Sequence, residues 1–132
     1  MNLEFSDKTK KEVQNIIARY PQKKAALLPI LHVAQQEFGF IGEDTERMVA
    51  GLLDIKPIQV REVVTFYTMY NRRPVGKYHI QVCSNLTCTL LGAESLLDYL
   101  KKKLNIGLGE ITEDKKIMIS SVECLGACEQ AP

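Results

Sequence analysis

Lys77-Tyr78-His79-Ile80-Gln81-Val82-Cys83-Ser84-Asn85-Leu86-Thr87-Cys88 runs from a strand into a cysteine loop. Polar and apolar residues alternate from Lys77 to Val82, and strand formers dominate, so Cys83 falls at the strand's C-terminal end. From Thr89 to Leu100 the apolar residues adopt helical spacing, which predicts an amphipathic helix after Cys88. The first cysteine loop therefore lies at a strand-to-helix turn. Free N–H groups and a positive pole at such a turn favour thiolates. After a loop at 107–114, Ile117-Met118-Ile119-Ser120-Ser121-Val122 reads as a second strand and delivers Glu123 and Cys124. A right-handed crossover makes the two strands parallel. Their C-terminal ends then share one sheet edge, where Cys83 and Cys88 can face Cys124 and Cys128.

These are the chain's 4 cysteines. Their spacing, C-x4-C and C-x3-C, narrows the chemistry. A thioredoxin-type redox pair needs C-x2-C, which is absent. Plant-type ferredoxins show C-x4-C-x2-C with a distant fourth cysteine, whereas here the third pairs with the fourth. Zinc sites prefer C-x2-C pairs but tolerate wider gaps, so zinc stays open. Two structural disulfides fit poorly with a reducing compartment. The reading that fits best is a [2Fe–2S] cluster that moves single electrons. Gly126 lets the second loop turn tightly, and Ser84, Asn85 and Thr87 are candidate donors near the sulfurs. His32 and His79 read as packing or surface residues.

Upstream, residues 1–73 read as wholly helical, and Asn71-Arg72-Arg73-Pro74-Val75-Gly76 divides them from an α/β part at 77–132. The first helix starts after Ser6 as N-cap and stops by Pro21. The second covers roughly Gln22 to Phe38, with Pro29 marking a kink or its true start, and Gly39 closing it. The third runs from about Glu43 to Leu53, and the fourth begins with Pro57 at the first helical position. Helices three and four, joined by Asp54-Ile55-Lys56, could pass for a helix-turn-helix DNA reader with a cysteine-held sensor. Against this, the reading helix would carry only Arg61 as an early basic residue, and groove readers sit in clearly basic surfaces. The simpler reading of Thr65 to Tyr70 is an aromatic helix end packed in a core.

At 132 residues, with 17 Lys and Arg against 16 Asp and Glu, nothing draws nucleic acid or anionic membrane strongly. Lys101-Lys102-Lys103 suits a helix C-terminus. The N-terminus lacks the basic and apolar regions of a secretory signal, and no apolar run approaches the roughly 20 residues that span a bilayer. The expectation is a cytoplasmic protein, without membrane insertion of its own.

The motif C-S-N-L-T-C-x3-G-A at Cys83–Ala93, with E-C-L-G-A-C-x2-A-P at Glu123–Pro132, resembles one family closely. It is the thioredoxin-like [2Fe–2S] subunit of NADH:quinone oxidoreductase (respiratory complex I), with homologous subunits in NAD-linked hydrogenases and formate dehydrogenases. Ala26–His32 and Val60–Met69 resemble the helical part of that family. The resemblance implies an α+β protein: an N-terminal helical bundle for docking, then a thioredoxin-like [2Fe–2S] domain. It implies that Cys83, Cys88, Cys124 and Cys128 ligate iron. It implies a partner flavoprotein that binds FMN and NADH, and other iron–sulfur subunits beyond. The absence of G-x-G-x-x-G after a strand agrees with nucleotide binding elsewhere. Family members continue through a hairpin and a final helix. The chain here stops at Pro132, so the second half is expected to need completion for stability.

Overall fold

The computed structural model describes residues 3–132 and divides the chain into two compact units, Met1–Pro74 and Val75–Pro132. The first holds four helices: α1 (Asp7–Ile17), α2 (Leu27–Phe38), α3 (Glu43–Leu53) and α4 (Pro57–Phe66). The second runs β1 (Tyr78–Cys83), α5 (Leu86–Leu90), α6 (Ala93–Leu104) and β2 (Ile117–Val122).

Local chemistry explains most helix ends. The Ser6 hydroxyl accepts the Thr9 N–H at the start of α1. Gly39, at φ 81°, caps α2 in the left-handed conformation, and Pro57 opens α4. Pro29 sits in the first turn of α2, where no N–H is needed, and a 3-10 turn over Lys23–Ala26 precedes it. The chain thus takes up the second of the two readings of Pro29, a helix that properly begins near it. Helix α1 ends at Ile17, before Pro21, because the chain already turns at Ala18.

Ile30, Leu31, Ile41, Val49, Val60 and Val64 are fully buried and form the centre of the first unit. Each contributes about 1.5–3 kcal/mol by leaving water. Polar straps fix the last loop. The Gln35 side chain donates to Met69 O (2.9 Å) and accepts from Asn71 N–H (2.6 Å), while the Tyr70 hydroxyl donates to Leu28 O (2.9 Å). The aromatic helix end departs from expectation. Tyr70 is buried, but Phe66 is 75% exposed and Met69 48%. The physical reason is the end of α4 at Phe66: Tyr67 is extended (ψ 117°), so the chain leaves the helix and only Tyr70 turns back into the core.

In the second unit β1 and β2 pair in parallel, in register from Tyr78 opposite Ile117 to Cys83 opposite Val122. Val82, Ala93 and Leu97 pack together with Cys83 and Cys88, and Ile80, Leu96 and Leu100 close around them. The expected single helix after Cys88 is two. Helix α5 begins at Leu86 and contains Cys88, and Gly92, at φ 104°, breaks the chain before α6. Few side chains adopt that φ, so glycine permits the corner. Lys101, Lys102 and Lys103 lie in the last turn of α6. The loop before β2 folds back on it: Ile111 bridges Met118 antiparallel, and Gly109 N–H donates to Ile119 O (2.7 Å). Among the described residues no helix is long and apolar enough to cross a membrane.

Candidate metal centre

Parallel pairing places the ends of β1 and β2 side by side, and each end opens into a cysteine loop. Cys83 is the last residue of β1, opposite Val122, and Cys124 follows two residues later. The first loop is pinned to the second strand by Ser84, whose N–H and hydroxyl both donate to Val122 O (2.9 and 3.1 Å). The Asn85 side chain accepts the Leu86 N–H (2.8 Å) and starts α5, which carries Cys88 inward. Gly126, at φ 68°, turns the second loop between Cys124 and Cys128.

All four cysteines are free thiols. Cys83 and Cys88 are 6% exposed, while Cys124 and Cys128 are exposed. Main-chain N–H groups are aimed at the sulfurs: Asn85 N–H at Cys83 Sγ (3.4 Å) and Gly126 N–H at Cys124 Sγ (3.3 Å). The Cys83 thiol in turn donates to Glu123 O across the two loops (3.6 Å). The Asn85 N–H holds the Cys83 thiol below the usual range, helped by Cys88, the Leu125 N–H and Cys124 and opposed by burial. Cys88 is pushed up, first by its hydrogen bond with Cys83, then by burial and by negative charge on Cys83, Cys128 and Cys124. Cys88 thus lies within electrostatic reach of the other three sulfurs.

The donor set suits a thiolate-ligated cluster. Among the described residues no three His, Cys, Asp or Glu side chains form a group that could hold one metal ion. Four cysteines around a binuclear cluster serve two irons, so the sulfurs need not meet at one point. Neither histidine is near this role. His32 is exposed on α2, and His79, on β1, hydrogen-bonds Ser120 Oγ (2.8 Å). Of the expected donors Asn85 does serve a sulfur, Cys83, but through its main-chain N–H. The side chains of Ser84 and Asn85 serve the backbone, and main-chain N–H groups of Asn85, Leu125 and Gly126 serve the sulfurs instead. Main-chain donors leave no side-chain signature, and only the glycine between Cys124 and Cys128 hinted at them.

A strand–helix–strand unit that brings two cysteine loops, with four free thiols, to one sheet edge is a setting in which thiolates can hold a cofactor. The comparisons make the class particular. Residues 13–132 match the family described as thioredoxin-like [2Fe-2S] ferredoxin, and the chain belongs to that family. The family's cofactor is the [2Fe–2S] cluster that the cysteine spacing predicts. The chain is 42% identical over 123 residues to an E-type subunit of NADH-quinone oxidoreductase from Rhizobium meliloti (strain 1021), covering 93% of this chain and 73% of the relative. It is 43% identical to the corresponding E-type subunit of NADH-quinone oxidoreductase from Rickettsia conorii (strain ATCC VR-613 / Malish 7), covering 99% and 80%. Among solved structures, an NAD+-reducing [NiFe]-hydrogenase in the H2-reduced state superposes with a TM-score of 0.67 at 22% identity. That match covers 80% of this chain but only 18% of the hydrogenase chain, and it speaks for the fold alone.

Proposed function

We propose that this chain is the electron-transfer subunit of an NADH-oxidising flavoprotein complex, most simply NADH:quinone oxidoreductase. In this reading Cys83, Cys88, Cys124 and Cys128 hold the [2Fe–2S] cluster. The observation that carries it is the parallel pairing of β1 and β2, which sets the two cysteine loops at one edge of a family-typical unit. When bound, the cluster supplies a one-electron couple. The chain's own part is ligation and placement. Buried Cys83 and Cys88 hold one side out of water, and the Asn85, Leu125 and Gly126 N–H groups oppose the negative charge of the thiolates.

FMN and NADH belong to a partner flavoprotein in this reading, and further iron–sulfur subunits belong to the same complex. The helical unit, residues 1–73, is the docking module. The complex is cytoplasmic and peripheral to the membrane. The equivalent subunit of an NAD-linked hydrogenase or formate dehydrogenase is the second reading, and a hydrogenase chain shares the fold. A DNA-reading role for α4 is disfavoured by Arg61, whose guanidinium is engaged by Glu46 (2.9 Å) and Glu43 (3.0 Å).

The test is turnover with and without the flavoprotein. The purified subunit alone should not oxidise NADH with an artificial acceptor, and the reconstituted pair should. Turnover by the isolated subunit would refute the division of labour. Co-elution with the flavoprotein should disappear when residues 1–73 are deleted.

A further inference from the structure

Two sets of contacts cross from the first cysteine loop to β2 and the second loop. One runs through the Cys83 sulfur: the thiol donates to Glu123 O at 3.6 Å, and the Leu125 N–H faces the sulfur. A thiol is a weak donor, and a sulfur that ligates a metal has no proton to give. The other set runs through Ser84 and touches no sulfur. The Ser84 N–H donates to Val122 O at 2.9 Å, and the Ser84 hydroxyl donates to the same oxygen at 3.1 Å.

A serine hydroxyl at the end of a strand ordinarily turns to nearby main chain or to water. Ser84 is exposed, so water is at hand. Its hydroxyl instead reaches across 38 residues of sequence to the partner strand. The Ser84 carbonyl is engaged as well, accepting the Thr89 hydroxyl at 3.3 Å. Cys83 directly precedes Ser84, and Cys88 directly precedes Thr89. Val122 stands opposite Cys83 and shortly before Cys124. One residue therefore ties together the main chain beside Cys83, beside Cys88 and leading to Cys124.

We propose that the Ser84 hydroxyl is a positioning group for the cysteines: it touches no iron and no sulfur, and through Val122 O it fixes the spacing between the loop of Cys83 and Cys88 and the loop of Cys124 and Cys128. The proposal rests on the cluster-carrying reading given above. Four thiolates on two loops can share one cluster only while that spacing holds. Groups that orient ligands without touching the metal alter both its affinity and its electronic properties. Without the hydroxyl, the Ser84 N–H keeps its own bond to Val122 O, so the fold survives. What is lost is the second tie, and the separation of the loops then varies from molecule to molecule.

Ser84→Ala and Ser84→Thr in the intact, cluster-loaded chain test this, with Thr89→Val as a control inside the first loop. Circular dichroism should report the same secondary structure for all of them. Ser84→Ala should lose its cluster to an iron chelator, followed by visible absorbance, about fivefold faster or more, the worth of one hydrogen bond. The EPR lines of its reduced cluster should be broader than the parent's, because the ligand geometry is more varied. Ser84→Thr keeps a hydroxyl and should restore both readings. Thr89→Val breaks no contact between the loops and should leave both near the parent's. A parent-like loss rate or line width in Ser84→Ala would overturn the proposal. So would failure of Ser84→Thr to restore them, or an equal effect of Thr89→Val. In each of those cases the loaded parent chain leaves the electron-transfer reading standing. That reading fails separately, as a parent chain without iron and sulfide, and the proposal falls with it.

Discussion

Arg61 and Glu46 join α4 to α3, and Arg61→Met tests how far that junction holds the helical unit. The Glu46 side chain is 4% exposed and accepts from Arg61 Nε at 2.9 Å, whereas Glu43, the second partner at 3.0 Å, is 64% exposed. The Glu43 pair contributes about 0–1 kcal/mol, as exposed pairs do. The Glu46 pair is different, because removing the guanidinium leaves a buried carboxylate without its cation. Breaking a fully buried pair costs about 3–5 kcal/mol. Arg61 is itself 37% exposed, so water screens part of this. Discounted for that screening, the loss is roughly 2–3 kcal/mol. Methionine keeps most of the aliphatic stem, so lost packing is small. For a unit of this size the change lowers Tm by roughly 10–20 °C. Thermal unfolding followed by circular dichroism at 222 nm reads it directly. Replacing both partners, Glu46→Leu with Arg61→Met, should recover most of the loss. A Tm shift for Arg61→Met no larger than that of an exposed pair would show that the buried carboxylate is rescued by water and the reasoning is wrong.

A Cβ at Gly76 would meet Lys116 O at 2.6 Å and Ile117 N at 2.9 Å, both main chain, so Gly76→Ala should destabilise the second unit by about 1–3 kcal/mol in urea denaturation. Gly51, inside α3 with open space at its Cβ, is the control: Gly51→Ala should stabilise by about 0.5–1 kcal/mol, and equal effects at the two sites would contradict the packing described. Burial holds His79 below its ordinary range, so the folded state binds fewer protons than the unfolded chain between that lowered pKa and 6.5. Stability of the second unit should therefore be full above pH 6.5 and fall as the pH drops below it. His79→Asn should flatten this dependence in urea titrations followed by tyrosine fluorescence, and an unchanged slope would remove His79 as the cause.

Sequence reading located the elements whose ends are written in side chains. Pro57 starts α4, Ser6 caps α1, and Glu43–Leu53 and Ile117–Val122 occupy the spans their periodicity indicates. The strand–helix–strand order was legible because period two gives way to period 3.6 and then returns. It is this order that brings the cysteine loops to one edge. The break at Gly92 was not legible, since Leu90, Leu91, Leu96 and Leu97 continue a helical pattern through it and an isolated glycine does not by itself end a helix. Exposure of Phe66 was hidden for a related reason. An aromatic at the end of an amphipathic helix looks like core until the next residue is seen to leave the helix. The contact of Ile111 with β2 and the N–H groups aimed at the sulfurs depend on main-chain geometry, which no residue type announces.

Chemical analysis of the purified chain tests the central claim most directly. The account predicts iron and acid-labile sulfide in equal amounts, about two of each per chain, with a rhombic EPR signal on one-electron reduction. It predicts that Cys→Ser at position 83, 88, 124 or 128 perturbs that signal or abolishes the cluster. Stoichiometric zinc without sulfide, or an undisturbed signal after any of the four substitutions, would contradict it.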